Sequence, residues 1–208
     1  MSIKKLLIFI GLVLGALSLT SCGNPGTNAA PAEHLGQPAV DAPLTIALVM
    51  SNRTNPLYAE VESGARQAEN DLGVRLVVRT AAQETSVDQQ IQIVEDLIRE
   101  QVHAIVVAPV DSFELIPVLK KAQDAGIAII TIENSLDAEL SEKVGLSGVA
   151  YIGANNEQAA FDAARIISSQ LSQPTKVLIL EGKRTTNTSE SRKNGALRAF
   201  RENANIIA

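Results

Sequence analysis

Side chains able to do chemistry recur in short clusters, each directly behind an aliphatic or β-branched run. The clusters are Ser51-Asn52-Arg53-Thr54-Asn55, Thr80-Ala81-Ala82-Gln83-Glu84, Ala108-Pro109-Val110-Asp111-Ser112, Glu133-Asn134-Ser135 and Asn155-Asn156, with Glu181 and Arg192 further on. Amides, carboxylates and a guanidinium are donors and acceptors that each bind a hydroxyl, some in bidentate fashion. They do not assemble into a catalytic set. The histidines are His34, in a linker-like stretch, and His103, ahead of a strand run, and no Cys, His and Asp share a metal-ligand spacing. Glu133 at a strand end has the chemistry of a base but no partner in the sequence. The chemistry on offer is reversible hydrogen bonding, with no metal and no cofactor.

These residues need elements to hold them, and the apolar pattern supplies a repeating unit. Leu44–Val49, Val74–Val78, Ala104–Val107 and Ile127–Ile132 read as strands. Between them, Pro56–Leu72 carries Leu57, Val61, Ala65, Ala68 and Leu72 on one helical face, and Ser86–Gln101 does the same with Val87, Ile91, Val94 and Ile98. A third helix spans Phe113–Ala125, its start shifted or kinked by Pro117. Gly73 and Gly126 stand where helix C-terminal caps belong. The strand runs IALV, AIVV and IAIITI are apolar throughout, as in a sheet covered on both faces. Strands alternating with helices predict the α/β class: a doubly wound parallel sheet with right-handed crossovers. A long loop at 135–148 then leads to a short strand at Tyr151–Gly153. A second unit follows: a helix at Glu157–Leu171, a strand at Lys176–Leu180, a helix at Glu190–Glu202 and a strand opening at Ile206.

In open α/β sheets ligands bind beyond the carboxyl ends of the strands, which is where the polar clusters fall. Some of these residues have an ordinary local role as well: Asp111 or Ser112, and Ser86, are natural helix N-caps. Glu181-Gly182-Lys183-Arg184-Thr185 echoes the end of a phosphate-binding loop, but Val177 stands where that motif needs glycine. The Asn52-Arg53-Thr54 and Asn187-Thr188-Ser189 triplets have the form of glycosylation acceptors.

Ahead of all this, Met1–Lys5 carries Lys4 and Lys5 and no acid, and Ser18 is the sole polar residue of the run Leu6–Leu19. At ~1.5 Å per residue that run covers about 21 Å, short for a ~30 Å bilayer core, so it reads as a cleaved signal peptide over residues 1–21. Leu19-Thr20-Ser21-Cys22 resembles the bacterial lipobox, which implies lipidation of Cys22, the single cysteine of the chain, by way of its nucleophilic thiolate. Two acyl chains would hold the protein at a membrane surface, outside the cytoplasm. Residues 22–43, rich in Gly, Pro, Ala and Asn, read as a flexible tether. The net charge is −5 and falls further once the two leader lysines go, which argues against nucleic acid as a partner. Aromatics make up 3% with no Trp, so a pocket must rely on hydrogen bonds.

From Leu44 to Ala208 the residues resemble the type I periplasmic substrate-binding proteins of ABC sugar transporters, in the ribose-binding-like branch. The matching stretches are Ser51–Tyr58, Ala108–Asp111, Gly126–Asn134, Ile152–Asn156 and Thr188–Phe200. The resemblance implies two α/β lobes closing over one sugar or polyol: residues 44–153 as the first lobe, and 154–208 as a hinge crossing and the truncated start of the second. It implies Asn55 as a hydrogen-bonding partner of the ligand and Leu57 and Tyr58 at ring-packing positions; Ser51, Asp111 and Asn155 are ligand-binding candidates from their places behind the strand runs. Glu133 and Asn134 match an acidic–basic pair gripping hydroxyls, with Asn134 in place of an arginine, and Arg192 matches the second lobe's arginine. The implied partners are a small sugar, the permease of an ABC importer and, through the lipid, a membrane. The same fold serves as the sensory domain of a chemoreceptor or two-component system and as the effector core of repressors. A substrate-binding fragment without activity is a further alternative.

Overall fold

The computed structural model describes residues 42–51, 55–82 and 86–207. The leader, Cys22, His34 and most of the tether lie outside the described residues, as do Asn52, Arg53, Thr54, Gln83, Glu84 and Thr85.

The apolar strand runs pair into one parallel sheet of five strands: β1 (Thr45–Met50), β2 (Arg75–Thr80), β3 (Ala104–Val107), β4 (Ala128–Ile132) and β5 (Ala150–Ile152), in the order β2-β1-β3-β4-β5. In β1 alternate side chains enter two cores. Ala47 and Val49 join Val94, Leu97, Ile105, Leu115 and Leu119 on one face, with α2 (Val87–Arg99) and α3 (Ile116–Asp124) packed there. Leu48 and Met50 join Tyr58 and Ala108 on the other face, under α1 (Pro56–Leu72). Helices on both faces make the sheet doubly wound. The chain runs from β1 to β2 on one side and then crosses back over β1 to β3 on the other, so the topological switch point falls between β1 and β3.

Local chemistry sets the element ends. Asn55 caps α1, its side chain accepting from the Leu57 N–H, and Gly73 closes that helix in the left-handed region at φ 64°. Pro117 sits in the first turn of α3, which begins at Ile116, three residues later than the sequence predicts. The segment 135–148, expected as a loop, contains α4 (Ala138–Val144). Asp137 caps it by accepting from the Leu140 N–H, and Gly145 ends it. Two turns are too short for an apolar period to show in sequence.

Beyond β5 a smaller α/β lobe begins with α5 (Asn156–Ser168), β6 (Thr175–Lys176), α6 (Asn187–Arg201) and β7 (Ile206–Ile207). The strand expected over Lys176–Leu180 is reduced to Thr175–Lys176, because among the described residues its one neighbour is the two-residue β7. Val177, Leu178 and Ile179 therefore border an apolar hollow of about 340 Å³ with Leu197, Phe200 and Ile206. Leu178 is 84% exposed and Leu180 88%. Gly195 lets α5 and α6 touch backbone to backbone: a Cβ there would collide with the Glu157 carbonyl.

Candidate ligand-binding site

The ends of β1, β3 and β4 face a segment of the second lobe across a cavity of about 390 Å³, toward the lower end of the ~300–1,000 Å³ usual for small-molecule sites. From the β1 end come Ser51, 6% exposed, and Asn55 and Tyr58 on the first turn of α1. Tyr58 is the single aromatic of the lining and is seated in the core by Leu48 and Met50.

The β3 end supplies Pro109 and Val110. Their loop is held by Gln90, fully buried on α2, whose Nε2 donates to the Ala108 carbonyl (2.9 Å) while its Oε1 accepts from the Val110 N–H (2.9 Å). From β4 come Glu133 and Asn134. Glu133 has φ 65°, a left-handed backbone that costs a non-glycine residue about 1–3 kcal/mol. Its carbonyl accepts from the Thr188 hydroxyl (3.0 Å) and the Tyr151 phenol (3.2 Å). Burial, reinforced by the charge of Glu133 and partly offset by Arg192, pushes the Tyr151 phenol above its ordinary pKa.

The opposite wall is Lys183, Thr186, Thr188, Ser189 and Arg192. Of these, sequence reasoning named only Arg192. Nothing local in the sequence marks Lys183, in its echo of a phosphate loop, as facing a strand end. Its ammonium donates to the Val110 carbonyl (2.7 Å) and stands 3.7 Å from Asp111 Oδ2. The Arg192 Nε donates to Asn156 Oδ1 at 2.8 Å.

The structure thus brings Ser51, Asn55, Tyr58, Glu133, Asn134 and Arg192 around one cavity. Three other candidates lie elsewhere. Leu57 is 46% exposed and outside the lining, because it follows Asn55 by two residues and turns away from the Tyr58 face of the helix. Asp111 is buried behind the wall, where its Oδ1 accepts from the N–H groups of Phe113 and Glu114. Burial raises its pKa, but hydrogen bonds from Thr185 and those two N–H groups, with the Lys183 charge, outweigh burial and hold it below the ordinary value. Asn155 caps α5 by accepting from the Gln158 N–H (3.0 Å) and borders a separate polar hollow of about 200 Å³ with Tyr151, Asn156 and Asn187. His103 Nδ1 accepts from the Thr45 N–H (2.9 Å), a tie between strand starts at the far end of the sheet.

Among the described residues there is no cluster of His, Cys, Asp and Glu suited to a metal, and no helix long and apolar enough to cross a membrane. What the cavity wall can do is hydrogen-bond a small polar molecule from two sides and pack Tyr58 against it.

Comparison with known proteins agrees with this architecture. The periplasmic binding protein domain matches residues 46–208. The D-ribose/D-allose-binding protein of Pseudomonas aeruginosa is 34% identical over 186 residues, 88% of this chain and 56% of that protein. The D-allose-binding periplasmic protein of Escherichia coli is 27% identical over 161 residues, 77% of this chain and 52% of that one. The chain therefore spans about half the length of these relatives. A solute-binding protein from Actinobacillus succinogenes with bound D-allose superimposes with a TM-score of 0.71 at 35% identity, over 78% of this chain and 57% of that one. One from Burkholderia multivorans reaches 0.74 at 32%, over 80% and 59%. With its strand order, its switch-point cavity and these matches, the chain belongs to the periplasmic binding protein family in its type I form.

Proposed function

We propose that this protein captures a small neutral sugar or polyol outside the cytoplasm and hands it to the permease of an ABC importer, without chemical change to the ligand. The observation that carries the reading is the cavity wall. Among the described residues, twelve lining ones supply hydroxyls, amides, one carboxylate, two cations and one aromatic ring. That inventory suits a hydroxyl-rich ring. Charge favours a neutral ligand: Asp111 stands beside Lys183, and Glu133 faces the same cavity as Arg192. The named relatives bind ribose and allose, and those aldoses lead the list to test.

Lipidation at Cys22 would tether the domain to the membrane through residues 22–43, keeping it near the permease. Radiolabelled palmitate should enter the wild-type protein in a bacterial host and be absent from Cys22→Ala.

The function is tested by titrating D-ribose, D-allose, D-arabinose and a sugar acid into the purified chain, reading heat and thermal midpoint, and recovering the ligand. Binding of a neutral sugar, recovered unaltered, is the expected result. Preference for the sugar acid, or conversion of any ligand, overturns it.

A further inference from the structure

We propose that Ser112 and Asn134 are positioning residues: they form a polar clasp that holds the segment Lys183–Thr188 against the ends of β3 and β4 and so sets the second wall of the cavity.

The hydrogen accounting is closed. The Ser112 hydroxyl has one proton, which goes to the Ser135 carbonyl at 2.7 Å. Its lone pairs accept from the Asn187 N–H (2.9 Å) and from Asn134 Nδ2 (3.3 Å). The same Nδ2 donates to the Pro109 carbonyl (3.1 Å), while Asn134 Oδ1 accepts from the Thr188 N–H (3.3 Å). The one Thr188 hydroxyl proton goes to the Glu133 carbonyl (3.0 Å), with Asn134 Oδ1 3.2 Å from the same oxygen. Asn187 Nδ2 reaches back to the Leu136 carbonyl (3.0 Å), and the Ser112 N–H donates to the Thr185 carbonyl (2.9 Å). Ser112 is fully buried, Asn134 2% exposed and Thr188 9%. Asn134 borders the cavity, yet its amide is already engaged by protein on both its oxygen and its nitrogen. Its work is to orient Thr188.

A contact built this way suits a moving part. An apolar seam between lobes would lock, because opening it exposes hydrocarbon to water. Hydrogen bonds can be exchanged for bonds to water at a modest net cost each. The clasp is therefore strong enough to bias the second wall toward the cavity and weak enough to release it. Its effect on affinity follows from population: a site competent in only a fraction of molecules binds weaker by that fraction. That last step rests on the sugar reading; the clasp itself does not.

The test uses the full chain. Ser112 and Asn187 do not line the main cavity, so Ser112→Ala and Asn187→Ala act on ligand only through the clasp. Hydrogen–deuterium exchange on the sugar-free protein should show amides of 183–190 exchanging about 5–30-fold faster in both variants, with β1 and β3 unchanged. Thr188→Ser should behave as wild type and Thr188→Val as a clasp variant. D-ribose and D-allose titrated into the millimolar range should bind more weakly by a similar factor in Ser112→Ala and Asn187→Ala. Unchanged exchange at 183–190 overturns the clasp, as does a rise shared equally by β1 and β3. Undiminished sugar affinity in both variants of a protein that binds sugar overturns the positioning role. Faster exchange as expected, with no sugar bound by any version, leaves the clasp standing and removes the sugar reading instead.

Discussion

Glu133 is the single carboxylate in the cavity lining among the described residues, and it is carried on a left-handed backbone. That conformation aims the peptide so that its carbonyl meets both Thr188 and Tyr151. Glu133→Gln should weaken sugar binding about 10- to 100-fold by calorimetry, the size of a hydrogen bond to a charged group, whereas Asn55→Ala should cost less and also loosen the start of α1. Asp111 makes a different prediction. Its folded pKa is depressed, so its contribution to stability is present above the unfolded value and is lost as pH falls through the folded one. Thermal midpoints of the wild type should therefore drop below about pH 4, and Asp111→Asn should flatten part of that slope. The strand-end rule led to Ser51, Asn55 and Glu133 because a residue behind an apolar run is visible in one dimension. Lys183, Thr186 and Ser189 face the same cavity from a different lobe, and no local spacing announces such a meeting.

The elements owe their placement to a few interior contacts. Gln90 spans the turn after β3 with both ends of its amide. Gln90→Leu keeps the volume and strands two buried backbone groups at about 1–3 kcal/mol each, so chemical denaturation should show a loss of about 2–6 kcal/mol, with slackening of the wall at Pro109 and Val110. Gly195 plays the equivalent part between α5 and α6. Gly195→Ala should force the helices apart and lower the thermal midpoint by several degrees, while leaving exchange in β1 and β3 intact. The long elements of the first lobe were legible in sequence: α1 runs from Pro56 to Leu72 as its four-residue apolar steps indicate. Where reading and structure part, either the element is too short to show a period, as in α4, or its strand has too little to pair with, as at Val177–Leu180. Strand identity is not a property of VLIL alone; it needs neighbours to accept its hydrogen bonds.

At the scale of the molecule, the cavity draws on one lobe and on a ten-residue stretch of the other, 183–192, within a chain that spans about half the length of the relatives it matches. Each neutral hydrogen bond that this wall offers contributes about 0.5–1.5 kcal/mol to a complex. D-ribose and D-allose should therefore bind the 208-residue chain no tighter than about 100 μM by calorimetry. A chimera continuing into the unmatched remainder of the Pseudomonas relative should recover micromolar affinity; equal affinities would show that the residues present suffice. The bare leucines at 178 and 180 act on another property altogether. Neither lines the cavity at the strand ends, so their consequence is colloidal. Concentrated solutions should scatter light and sediment with a concentration-dependent mass despite the net negative charge, and paired replacement of these leucines by lysine should quieten them. Handling and storage of this protein would then be governed by a few greasy carbons outside that cavity.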